Sequence, residues 1–123
     1  MTLWNDNKKL RSGFFETTEA QINATTAGPT TVHTICRYNK SAKVALFRNG
    51  FNCDVNIYLV HPDNDAAVVA NRILWVKVRA LTPLNIDISG TIGLEIEPKT
   101  SILISKTAGN SSNGGTFDLF IWG

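Results

Sequence analysis

The residues best suited to chemistry lie between positions 61 and 65, where a histidine precedes an acidic turn. His61, Asp63 and Asp65 could offer a ring nitrogen and carboxylate oxygens to a cation, because carboxylates two positions apart are typical of calcium loops. The segment lacks the remaining ligands and the turn glycine of such a loop. Pro62 followed by Asp and Asn also suits an ordinary turn, so we predict a turn here and no metal site.

Other catalytic arrangements find no support in the order of the residues. Glu95 and Glu97 lie two apart, as a pair of glycosidase carboxylates could, but their context is typical of the solvent face of an amphipathic strand. The chain has no Gly-x-Ser-x-Gly turn to present a nucleophile, and neither cysteine has a recognisable reactive context. We therefore predict no catalytic residue, no cofactor-binding residue and no cofactor, so the protein is expected not to be an enzyme.

The two cysteines leave two interpretations open. Cys36 and Cys53 lie near the ends of two predicted strands, so they could form a disulfide. The pattern favours two small, buried apolar side chains instead.

Charge and hydropathy indicate which partners to expect. The formal net charge of +2 is too small to indicate nucleic acid or an anionic membrane as a partner. Lys77 and Arg79 share a predicted strand face with Trp75, but charged protection of a sheet edge explains that stripe equally well. The chain lacks the run of about 18 apolar residues that a membrane helix needs. Its polar N-terminus has no signal-peptide core. We expect no nucleic acid and no membrane as a partner.

Most of the chain is predicted to form strands. Its 123 residues, 43% hydrophobic and 18% charged, suit one globular domain. Apolar residues alternate most clearly at Val55, Ile57 and Leu59, which share one face of a strand. Turn-forming residues separate eight such segments: 32–37, 43–49, 54–59, 73–79, 84–88, 92–97, 101–107 and 116–122.

This pattern predicts an all-β fold. Eight short strands, without a long crossover, favour an eight-stranded antiparallel jelly-roll-like β-sandwich, and an immunoglobulin-like sandwich is the nearest alternative. Residues 62–72 are expected either to extend a strand or to pack as a loop.

The first 29 residues differ from the rest because their apolar residues have no sustained period. We predict an extended N-terminal arm or an edge strand over residues 1–29, and a β-sandwich domain over residues 30–123. A helix over residues 17–22 is possible, although it would be short and would open with two threonines. The apolar residues of the arm are expected either to bind a partner or to fold back on their own domain: Trp4, Leu10, Phe14, Phe15 and Ile22.

Residues 43–49, 55–60, 81–87, 92–98 and 101–108 combine short aliphatic strands, faces rich in Asn and Thr, and polar turns of Ser, Asn and Gly. In this combination of strands, faces and turns the chain resembles the small all-β virion structural proteins of tailed bacteriophages. The resemblance covers roughly residues 30–123. It contains no motif from which site residues could be transferred.

The resemblance implies a component of the virion, made in the host cytoplasm. It would be a capsid decoration (cement) protein or a head, neck or tail accessory that binds major capsid or neck and tail proteins. We expect a homo-oligomer, with a trimer favoured. The alternative is a carbohydrate-binding module, for which Tyr58, Trp75 or Trp122 would offer an aromatic platform.

Overall fold

The computed structural model describes residues 12–42, 44–87 and 96–122. These residues form eight strands and two short helical segments. In chain order they are β1 (Ser12–Thr18), α1 (Glu19–Asn23), β2 (His33–Tyr38), β3 (Val44–Asn49), β4 (Val55–Val60), a 3₁₀ turn (Val69–Asn71), β5 (Ile73–Val78), β6 (Thr82–Asp87), β7 (Thr100–Lys106) and β8 (Thr116–Trp122).

The strands form two four-stranded antiparallel sheets, with the orders β1-β8-β3-β6 and β2-β7-β4-β5. Along the chain, β1 pairs with β8, β2 with β7, β3 with β6 and β4 with β5. The chain is therefore wound like one long antiparallel ribbon, rolled so that β3 also pairs with β8 and β4 with β7. This winding is a jelly roll, and the predicted fold class is confirmed.

Alternation within the strands builds the core between the two sheets. Phe117, Leu119 and Ile121 of β8 are fully buried, as are Ala45 and Phe47 of β3. Because successive side chains of a strand point to opposite faces, the residues between them lie on the outer face of the first sheet.

The loop after β4 covers part of the outer face of the second sheet. Ala66 packs against a small cluster formed by Tyr58, Val60 and Leu103. The Arg72 guanidinium donates to the carbonyl oxygens of residues 66, 29 and 30, at 3.0, 2.7 and 3.0 Å. Of the two interpretations left open for residues 62–72, a packed loop is therefore the observed one.

Residues 12–29 are built into the sandwich, so the expected division at residue 29 does not follow the packing. β1 pairs with β8 over its whole length as an edge strand, which is one of the two conformations expected for this region. Thr18 caps α1 with a capping box, and Ile22 is fully buried in the core. Residues 1–11 of the predicted arm lie outside the described residues.

Other predicted strands agree with the structure to different extents. Residues 116–122 form β8 as predicted, and residues 101–107 are displaced by one position in β7. Most of the predicted strand 92–97 lies outside the described residues, although Ile96 forms an isolated bridge with Ala42.

Candidate interaction surface

A row of apolar side chains crosses the outer face of the first sheet. Phe14 of β1 lies opposite Phe120 of β8, which lies opposite Leu46 of β3. The ring centroids of Phe14 and Phe120 are 4.7 Å apart. Phe14, at the free edge of the sheet, is the most exposed member, with 53% of its surface accessible. We call Phe14, Phe120 and Leu46 the aromatic row.

A charged row runs beside the aromatic row, at a distance of two residues along each strand. Asp118 lies between Glu16 and Arg48 in the register of the sheet. Its carboxylate forms an ion pair with Arg48 and accepts a hydrogen bond from Thr116 Oγ1 at 3.2 Å. Although Asp118 is on the outer face, only 1% of its side chain is exposed, so the ion pair is half-buried and fixed in place.

A second exposed apolar region lies at the edge of the other sheet. Among the described residues, six large hydrophobic side chains are exposed, and four of them fall within residues 68–74. Ile73 and Leu74 of β5 are the most prominent, at 67% and 56% exposure. We call Val68, Val69, Ile73 and Leu74 the β5 patch.

The predicted basic stripe on β5 is interrupted by a bulge at Trp75. Val76 pairs with Ile57 and Leu74 pairs with Tyr58, so Trp75 is the extra residue between them. Its ring packs edge-on against Phe47 in the core at 5.3 Å, whereas Lys77 and Arg79 are exposed. The prediction that Trp75 shares a strand face with the two basic residues is therefore wrong.

Lys77 instead lies 3.6 Å from Asp54, the residue before β4. The backbone N–H of Ala80 donates to the Asp54 carboxylate at 2.8 Å, and this bond, with the charge of Lys77, lowers the pKa of Asp54. The Asp54 carboxylate therefore joins the start of β4 to the residues after β5.

His61 lies between two carboxylates. Its Nδ1 accepts a hydrogen bond from the backbone N–H of Asp63 at 3.2 Å, and its Nε2 lies 3.5 Å from Glu97 Oε2. The contact with Glu97 was not predicted, because the two residues are 36 positions apart in the sequence. Asp65 instead accepts a hydrogen bond from the backbone N–H of Ala67, which is a turn contact. Within the described ranges, no three His, Cys, Asp or Glu side chains lie close enough together to hold a metal ion.

Both cysteines are free thiols. Cys36 lies in the core, where burial raises its pKa to about 12. Cys53 is half-buried, and burial raises its pKa as well, with the neighbouring Asp54 adding to the effect. The structure therefore agrees with the interpretation in which Cys36 and Cys53 do not form a disulfide.

The structure separates the residues predicted to bind a partner. Phe14 is exposed, and Phe15 is half-buried with its ring edge-on to Tyr38 at 6.2 Å. Ile22 is 0% exposed, so it stabilises the core and offers no surface to a partner. Trp4 and Leu10 lie outside the described residues.

The aromatic residues suggested as a sugar-binding platform are distributed differently. Tyr58 is only 4% exposed, so its ring presents no open face. Trp75 is half-buried against the core, and the side chain of Trp122 lies outside those described.

Leu46, Phe120 and the β5 patch were missed by sequence reasoning. A signal was available for the β5 patch. The four apolar residues at 73–76 place at least one large apolar side chain on each face of a strand. The aromatic row itself depends on register between distant strands.

No protein-family model, curated protein or solved structure matches the chain. No helix within the described ranges is long and apolar enough to cross a membrane.

Proposed function

We propose that this chain is a non-enzymatic structural protein of a bacteriophage virion, a capsid decoration protein or a head–neck accessory. In this role it binds a repeating protein lattice through its surface and contacts its neighbours there. The assignment to a virion rests on the resemblance of its strands and turns. The structural support is the distribution of exposed apolar side chains.

Two exposed apolar regions on opposite sides of the sandwich carry the proposal. The aromatic row ends at the free edge of β1, and β1 lies beside β2 at one side of the molecule. The β5 patch lies at the end of the second sheet that is farthest from β2. Exposed apolar side chains that are grouped on one part of a small protein are typical of contacts with other proteins. A protein that joins lattice neighbours needs two such surfaces, facing different ways.

The fold supports this role mechanically. Each sheet protects one face of the shared core, and the long loop after β4 is held by three hydrogen bonds from Arg72. The Arg48–Asp118 pair fixes the outer face beside the aromatic row. Contact residues on such a scaffold lose little conformational entropy on binding, which favours tight association.

The test is to add the purified chain to phage capsids that were assembled without it. We expect saturable binding at a fixed number of copies per capsid, visible as regular added density by electron microscopy. Ile73→Asp and Phe14→Asp place a charge in one apolar region each, and at least one should abolish capsid binding. Lys40→Asp, in an exposed turn, is the control and should bind normally.

Absence of the chain from mature virions of the phage that encodes it would contradict the proposal. Saccharide-dependent binding on a glycan array, together with no capsid binding, would favour the carbohydrate-binding alternative.

A further inference from the structure

The two sheets end in four edge strands, and one of them differs from the other three. The edges are β1 and β6 in the first sheet, and β2 and β5 in the second. The pairing of β2 shifts register next to Cys36, that of β5 shifts at the Trp75 bulge, and that of β6 shifts near Thr82. β6 also contains Pro83. Bulges and proline are devices by which proteins prevent edge strands from pairing with other chains.

β1 has none of these devices. It pairs with β8 over all seven residues without a shift in register. Its sequence, Ser-Gly-Phe-Phe-Glu-Thr-Thr, contains one charged residue, Glu16, and no proline. On the side away from β8, alternate residues of an antiparallel edge strand direct their N–H and C=O groups outward, where another strand can bind them. Among the described edges, β1 is therefore the one suited to strand addition.

The aromatic row reaches this same edge and stops there. Leu46, Phe120 and Phe14 are successive cross-strand neighbours, and exposure is greatest at Phe14. An added strand would continue the row if it placed an apolar side chain opposite Phe14. Such directly opposed side chains have Cβ atoms about 5 Å apart and stabilise a sheet.

We propose that two copies of this chain pair through β1, antiparallel, across a two-fold axis at Phe14. The two first sheets then form one continuous sheet of eight strands, and the two Phe14 side chains lie side by side. The aromatic row extends through both copies, from Leu46 of one to Leu46 of the other. A two-fold contact uses the same surface of both copies and closes on itself, so the product is a dimer.

Charge favours this register over the two in which the axis lies one or two residues later in β1. With the axis at Phe14, Glu16 lies opposite Ser12 of the second copy, so the two Glu16 carboxylates do not oppose each other. With the axis at Phe15, Phe14 would face Glu16, and with the axis at Glu16 two like charges would oppose each other. Like charges directly opposite one another destabilise a sheet. The axis at Phe14 avoids both conflicts.

This pairing needs only the chain itself, so its test does not require the virion role to be correct. Within that role, it assigns the Phe14 edge to the contact with a neighbouring copy and leaves the β5 patch for the lattice. It predicts a dimer in place of the trimer expected from the sequence. A strand from a different protein could bind the same edge, and the experiment distinguishes that case because it contains no other protein.

The test is the mass of the full-length chain in solution, by sedimentation velocity and light scattering. We expect twice the 13.5 kDa of one chain at micromolar concentrations. Phe14→Lys places two ammonium groups side by side, so it should weaken the dimer by on the order of tenfold or more. The control is Leu74→Lys, at a similarly exposed position on the β5 edge, which should remain dimeric. Circular dichroism of both variants verifies that the fold is retained.

Disulfide trapping tests the register. In a Cys53→Ser background, with Cys36 buried, Phe14→Cys should form a covalent dimer under mild oxidation and Glu16→Cys should not. A monomeric wild-type chain, a dimer indifferent to Phe14→Lys, or trapping through Glu16→Cys alone would each overturn the proposal.

Discussion

At the scale of single residues, Asn49 shows how one buried amide joins distant segments. It ends β3, and only 1% of its surface is exposed. Its Nδ2 donates to the carbonyl oxygens of Cys53 and Arg79, both at 3.0 Å, and its Oδ1 accepts from the backbone N–H of Phe51 at 2.9 Å. The turn after β3 is thereby fixed to the end of β5.

Replacing this amide should destabilise the protein strongly. Asn49→Ala leaves buried backbone groups without partners, so we expect the free energy of unfolding to fall by about 2–4 kcal/mol in urea denaturation. Asn52→Ala is the matched control, because that exposed amide bonds only to Ser112 and should cost less than about 1 kcal/mol. Equal losses for the two variants would mean that Asn49 has no special role.

Residue patterns predict some of this structure and miss the rest for a physical reason. Phe117, Leu119 and Ile121 alternate in the sequence, so β8 was predicted with its observed bounds. In β1 the usual hydrophobic order is reversed at two positions, since Thr17 is buried and Phe14 is exposed. Its neighbours across the strands decide these positions, and they are about 100 residues away in the sequence.

At the scale of elements, α1 is held by the loop between β7 and β8. Glu19 Oε2 accepts hydrogen bonds from Ser111 Oγ at 3.0 Å and from the backbone N–H of Gly114 at 2.8 Å. The side chain of Asn23 exchanges two hydrogen bonds with the backbone of Ser111, at 2.9 and 2.8 Å. These polar contacts explain why residues 19–23 belong to the domain although their hydrophobic pattern is weak.

Two truncations test where the domain begins. Removing residues 1–11 keeps every described element, so we expect a cooperative thermal transition close to that of the full chain. Removing residues 1–25 takes away β1, α1 and the buried Ile22, and it exposes the edge of β8. We expect that variant to lose its cooperative transition in near-ultraviolet circular dichroism.

The single substitution Ile22→Ala gives a finer measurement. It should lower the free energy of unfolding by about 2–5 kcal/mol, because it leaves a cavity in the core. If the chain without residues 1–25 were as stable as the chain without residues 1–11, the packing described above would be contradicted. Residues 12–25 would then be part of an arm, as the sequence predicts.

At the scale of the whole molecule, the rolled ribbon brings the two ends of the described domain together. Ser12 lies directly opposite Trp122, and β1 and β8 are separated by about 100 residues of chain. Bringing such distant segments together costs loop-closure entropy before any contact stabilises them. Folds dominated by non-local strand pairs accordingly fold in milliseconds to seconds.

A circular permutant makes this pairing local without changing the contacts of the native sheet. Joining Trp122 to Ser12 through a two-residue Asn-Gly turn converts β1 and β8 into a hairpin, and the chain can be opened at the exposed Gly109. The linear chain of residues 12–123 is the control, since it has the same strands. We expect the permutant to refold on the order of ten times faster. The burial of Trp75 against Phe47 provides a fluorescence signal for stopped-flow measurement.

The folding and unfolding rates of the permutant and the linear control show which step limits folding. A faster permutant with an unchanged unfolding rate would mean that closure of the β1–β8 pair limits folding. An unchanged folding rate would contradict the prediction and indicate that β1 joins the sheet after the transition state. In that case the edge proposed for dimerisation would be the last part of the sandwich to form, and pairing between copies would follow folding of each chain.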